Sequence, residues 1–102
     1  MSIYMTARFE VQKEALEICQ RTIQEFIDYI HANEPDTILY TSLQEQENPT
    51  RFLHYFIFRD EKARDIHSNS EGVDRFTRIL YANLVAPVEF TEYFLFATTK
   101  EP

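Results

Sequence analysis

The run Phe52-Leu53-His54-Tyr55-Phe56-Ile57-Phe58 constrains this chain more than any other stretch. Successive side chains of a β-strand point to opposite faces, so this segment carries bulky, mostly apolar groups on both. Neither face is left for water, and such a strand has to be covered twice. A chain of 102 residues has helices enough for one face of a small sheet, so the second cover is expected from another copy of the chain. The expectation is a homodimer whose hydrophobic interior suits a small, flat, apolar or aromatic molecule.

The remaining elements follow from periodicity. Ile3, Met5, Ala7, Phe9 and Val11 alternate with Tyr4, Thr6, Arg8 and Glu10, which predicts a first strand with one wet face for part of its length. Leu16, Cys19, Ile23, Phe26, Ile27 and Ile30 recur at helical spacing and predict an amphipathic helix from about Lys13 to Ala32. Asn33-Glu34-Pro35-Asp36 ends it, because proline lacks an amide hydrogen and restricts the residue before it. A second strand is expected from about Thr37 to Gln44, a polar loop from Glu45 to Thr50, and a third strand from Arg51 to Arg59 as its hairpin partner. Asp60 is placed to cap a helix that breaks and restarts, with Ser68-x-x-Glu71 as the expected capping box and Val73, Phe76, Ile79 and Leu80 as the second apolar stripe. Past Pro87, the segment from Val88 to Phe96 reads as a fourth strand.

The order βαββαβ predicts an α+β, ferredoxin-like domain over residues 1–102, with an antiparallel sheet and its helices on one face. Strands three and four are the most apolar. Two such sheets packed through their bare faces would close a dimeric α/β barrel.

Composition removes several function classes. Seventeen acidic against ten basic residues give a net charge of −7, which repels phosphate backbones and anionic lipid surfaces, so neither nucleic acid nor a membrane is the expected partner. No apolar stretch approaches the roughly 20 residues of a membrane span, and the first residues lack the blocks of a signal peptide; the expectation is a soluble, cytoplasmic protein. A single cysteine, Cys19, cannot form an internal disulfide and falls on a helix stripe as a small hydrophobe. Gly72 is the one glycine, which excludes phosphate-cradling loops and a Gly-x-Ser-x-Gly elbow. Nine Phe and six Tyr with no Trp point instead to an aromatic interior.

Asn48-Pro49-Thr50-Arg51-Phe52, then Tyr55, then Arg59-Asp60-Glu61-x-Ala63-x-Asp65-x-His67, is similar to the core signature of the antibiotic biosynthesis monooxygenase family. Glu34-Pro35-x-Thr37-x-Leu39-Tyr40 and the terminal Val88–Tyr93 segment extend the resemblance from about Ala7 to Tyr93. It implies a dimeric α/β barrel with a pocket between sheet and helices. Some members oxidise quinols or aromatic polyketides with dioxygen and without metal or flavin, so the resemblance implies a monooxygenase that needs no cofactor. Where many relatives carry a Glu after the third-strand Tyr this chain has Phe56, and where they carry a Trp before the Arg-Asp pair it has Phe58. The Asn, Trp and His set of haem-degrading relatives is incomplete, which disfavours haem cleavage.

His67 matches the family's helix His and is the candidate catalytic residue, since an imidazole in an apolar pocket can take a proton from a phenol near neutral pH. Its alternative role is to join the two helix segments through backbone hydrogen bonds. Tyr40, Tyr55 and Phe58 are the candidate substrate-binding residues, the tyrosines offering hydroxyls to a quinone or enol oxygen. Tyr55 and His54 fall on opposite faces of their strand, so one of them faces the helices; were His54 to point into the dimer interior, a lone His there is more often a satisfied core residue than a metal ligand. His31 and Glu34 sit three residues apart, as at a solvated helix end, and no metal site is expected. A non-catalytic ligand-binding or stress-associated module on the same barrel, and a barrel whose interior is filled by its own Phe side chains, both remain compatible with these residues.

Overall fold

The computed structural model describes residues 1–100. Its elements are β1 (Ile3–Glu10), one turn of 3-10 helix at Lys13–Ala15, α1 (Leu16–Asn33), β2 (Thr37–Gln44), β3 (Arg51–Phe58), α2 (Glu61–Ser68), α3 (Glu71–Tyr81) and β4 (Glu89–Tyr93). The strands form one sheet in the order β2-β3-β1-β4 with every neighbouring pair antiparallel, which is the expected ferredoxin-like α+β arrangement.

The two central strands set the layers. In the β1–β3 register Phe9 lies opposite Phe52, Ala7 opposite His54, Met5 opposite Phe56 and Ile3 opposite Phe58, so these residues share one face. Helices α1 and α3 cover that face with Cys19, Ile23, Phe26, Phe76 and Leu80. Phe58 on the helix face and Ile57 on the other are 1% and 2% exposed, and each such burial contributes roughly 1.5–3 kcal/mol. Cys19 is fully buried, and burial pushes its thiol pKa up, as expected for a packing residue.

The second face of the sheet carries no helix. Its apolar half comes from β2 and β3, where Leu43 pairs with Leu53 and Leu39 with Ile57 beside Tyr55. Its β1–β4 half presents Thr6, Arg8, Glu89 and Thr91 beside the Tyr4–Tyr93 pair, so β4 adds less apolar surface than the sequence predicts. The strand is also shorter. It begins after Val88 and stops at Tyr93, opposite Tyr4, because β1 has only Ile3 left to pair. Phe94 and Phe96 lie beyond the strand and are exposed.

Local capping holds α2 and α3 in place. Asp60 accepts a hydrogen bond from the Ala63 amide at 2.9 Å, as expected. The second cap is Ser70 rather than Ser68: the Ser70 hydroxyl accepts from the Val73 amide at 3.1 Å and donates to the His67 carbonyl at 2.8 Å. One side chain thus starts α3 and fixes the end of α2, where His67 sits. Gly72 lets α3 approach α1, because a Cβ there would lie 2.2 Å from Cδ1 of Tyr29.

Candidate functional site

Between the helix-covered face and the helices lies a cavity of about 210 Å³. Its walls are largely aromatic, with Phe26 from α1, Tyr40 from β2, Phe56 and Phe58 from β3, and Phe76 from α3. His54 and His67 complete the lining, and Arg64 stands on the same wall, tied to Glu92 at 3.0 Å so that α2 is held against β4.

His67 enters from the last turn of α2 and is buried beside Phe58, ring centroids 5.0 Å apart. Its Nδ1 lies 2.8 Å from Glu34 Oε1. A carboxylate at that position accepts the Nδ1 hydrogen, which leaves Nε2 of a neutral ring with its lone pair free. No hydrogen-bond partner for His67 Nε2 is present among the described residues. That is the geometry of a positioned proton acceptor.

Glu34 corrects the sequence reading. Its neighbour His31 is exposed as expected, but Glu34 is only 5% exposed and turns inward from the end of α1. The Thr37 hydroxyl donates to the same Oε1 at 2.8 Å, so one oxygen is held from both sides. The sequence signal was the Glu-Pro-x-Thr spacing, in which a helix stop places a threonine hydroxyl within reach of the carboxylate. Nothing local shows that His67, 33 residues away, would meet it.

Tyr40 stacks on Phe56 with ring centroids 4.9 Å apart, and its hydroxyl lies 2.8 Å from His54 Nδ1. Burial, and after it the charge of Glu34, raises the Tyr40 pKa far above the usual phenol range. Burial pushes the His54 pKa down to about 4. Near neutral pH the pair is therefore a neutral phenol against a neutral imidazole, able to donate and orient but not to hold charge.

The structure brings His67, Tyr40 and Phe58 to one cavity and leaves Tyr55 out. Alternation along β3 gives the helix face to His54, so Tyr55 points to the bare face, between Thr6 and Thr41 of the adjoining strands. The choice that the sequence leaves open between His54 and Tyr55 is thereby decided, with His54 on the helix-covered face. Phe56 and Phe58, the two departures from the family pattern, both stand on the cavity wall. Among the described residues no cluster of three or more His, Cys, Asp or Glu side chains is placed to hold a metal ion. None of their helices is long and apolar enough to cross a membrane.

The family model for antibiotic biosynthesis monooxygenase matches residues 2–78. Solved structures share the fold at low identity. A conserved protein from Methanosarcina mazei Go1 is 24% identical with a TM-score of 0.83, covering 91% of this chain and 91% of that one. Rv0793 from Mycobacterium tuberculosis is 16% identical with a TM-score of 0.88, covering 98% of this chain and all of that one. SnoaB, a cofactor-independent oxygenase from Streptomyces nogalater, is 17% identical with a TM-score of 0.82 over 98% of each chain. No curated protein matches the sequence. The family match covers the chain from β1 into α3, including the helix that carries His67, and the chain belongs to the antibiotic biosynthesis monooxygenase family.

Proposed function

We propose that this protein is a cofactor-independent monooxygenase of small aromatic, quinol-like molecules, with His67 as the base that removes a phenolic proton. The observation that carries the reading is the His67 imidazole, oriented by Glu34 at 2.8 Å and facing an otherwise aromatic cavity. Removing the proton makes an electron-rich phenolate, which can itself pass electrons to dioxygen. The stoichiometry closes without an outside reductant. A hydroquinone and dioxygen give a hydroxyquinone and water, one oxygen atom bonding a ring carbon and the other leaving with two substrate hydrogens. Tyr40 and Phe58 line the substrate's position, whereas Tyr55 acts on the other face of the sheet.

Cavity size narrows the class. An engineered apolar cavity of about 150 Å³ holds benzene, so about 210 Å³ suits one substituted ring better than a fused tricyclic. Residues 1–102 act as one domain, and two copies pack through Leu39, Leu43, Leu53 and Tyr55 to form a homodimer in the cytoplasm.

Oxygen uptake with a panel of hydroquinones and anthrones tests the reading. Turnover is expected with the single-ring hydroquinones, falling on His67→Ala while the fold persists. No uptake above buffer with any compound contradicts it. The aromatic character of Phe56 and Phe58 favours one second reading, a module that binds such a ligand without changing it. Recovery of intact ligand from the purified protein supports that reading, and recovery of an oxygenated product excludes it.

A further inference from the structure

His67 is the base of the proposed reaction and Tyr40 lines the substrate's position, but the hydrogen bond that joins Tyr40 to His54 on the cavity wall has no part in it. Tyr40 and His54 meet at 2.8 Å, and His54 is 1% exposed. As a neutral pair they carry two exchangeable hydrogens, the phenol O–H and one ring N–H. Only one can fill the bond between them. If the phenol donates to Nδ1, the ring hydrogen sits on Nε2, which is buried and has no partner among the described residues. If Nδ1–H donates to the phenol oxygen, the phenol hydrogen is released and Nε2 keeps only a lone pair. Either way one hydrogen lacks an acceptor from the protein, and buried donors are rarely left so without a reason.

We propose that the Tyr40–His54 pair is a hydrogen-bond donor station for an acceptor oxygen of the ligand, with Tyr40 touching that oxygen and His54 holding the hydroxyl from behind. Nδ1–H of His54 donates to the Tyr40 oxygen, and the Tyr40 hydroxyl donates to the ligand. The hydroxyl stays protonated because the buried phenol does not give up its hydrogen near neutral pH. The cavity then has two complementary ends: His67 accepts from a ligand hydroxyl, and Tyr40 donates to a carbonyl or similarly basic oxygen on the same molecule. This deepens the reading of the cavity as a ligand site and rests on it. It selects hydroxyaryl carbonyl compounds over plain alkylphenols. His54 is a positioning residue that acts on the ligand through the Tyr40 hydroxyl.

Calorimetric binding of para-hydroxyacetophenone and of para-isopropylphenol, which replaces the carbonyl with an apolar group of similar shape, tests it. The wild-type protein should bind the carbonyl compound about tenfold more tightly, the worth of one hydrogen bond. Tyr40→Phe should erase that preference while still binding the alkylphenol, and His54→Leu should reduce it. Nitrogen-15 shifts of the wild-type protein give a readout independent of any variant: in the complex with para-hydroxyacetophenone, His54 carries its hydrogen on Nδ1. Equal affinity for the two ligands, a preference that survives Tyr40→Phe, or a His54 hydrogen held on Nε2 in the complex each overturns the donor station and leaves the role of His67 standing. If neither ligand binds the wild-type protein, both readings fall.

Discussion

Glu34 and His67 lie 33 residues apart in sequence and 2.8 Å apart in space, Oε1 to Nδ1, where the end of α1 meets the last turn of α2. The contact turns a helix histidine into an oriented one, because the acceptor on Nδ1 decides which ring nitrogen faces the cavity.

Glu34→Gln should therefore act on the reaction more than on the fold. The amide oxygen still accepts from Nδ1, but the negative charge that steadies a protonated ring is gone. A loss of roughly tenfold in kcat with KM nearly unchanged is expected, within the larger range that a general base supplies. Steady-state kinetics with the best hydroquinone, alongside a melting curve, separate this from unfolding. A shift in KM alone would count against the orienting role.

The buried His54 makes acid stability testable. Its pKa is about 4 in the folded chain against 6.5 in the unfolded one, so the unfolded state binds more protons between those values. Stability is fully present above pH 6.5 and is lost as pH falls towards 4, by on the order of 3 kcal/mol at the lower end. His54→Phe should be less stable at pH 7 through the lost Tyr40 bond, yet its melting temperature should fall less between pH 6.5 and 5. Parallel curves for the two proteins over that interval contradict the assignment.

At Gly72 two effects oppose each other. Alanine gains up to about 1 kcal/mol of helix propensity, but its Cβ would fall 2.2 Å from the Tyr29 ring, which is also held by Arg75 at 5.5 Å. The clash should win, and Gly72→Ala is expected to destabilise by about 1–3 kcal/mol in urea unfolding. Adding Tyr29→Leu should recover part of the loss. Unchanged stability in the single variant would show that the ring moves freely.

The bare half of the sheet predicts assembly. Leu53 stands at its β3 row opposite Leu43, so Leu53→Lys would place an unpaired charge in the proposed interface once per protomer. Sedimentation velocity should show a wild-type dimer at micromolar concentration and a variant whose dissociation constant is weaker by on the order of a thousandfold. A wild-type protein that sediments as a monomer there contradicts the dimer.

Sequence periodicity carried most of the architecture. The alternation in β1, the stripe of α1 and the proline stop at Pro35 each depend on neighbours a few residues away, and the helices and strands appear where those patterns put them. The limits of β4 were not legible, since its apolar pattern runs to Phe96 while its length depends on how much of β1 remains to pair. The same divide runs through the site. His67, Tyr40 and Phe58 were accessible from residue type and family pattern, whereas the choice between His54 and Tyr55 needed the side of the sheet on which the helices pack. Glu34 was hidden because its burial comes from α2, an element far along the chain.

The central claim is that His67 accepts a proton from a phenol held in the cavity, and a phenol that reports its own ionisation tests it most directly. With para-nitrophenol bound at a pH below its free pKa, the visible phenolate band should grow on the wild-type protein and be absent from the complex with His67→Ala. Binding that leaves the phenol neutral on the wild-type protein, or an equal phenolate band on both, would contradict the account.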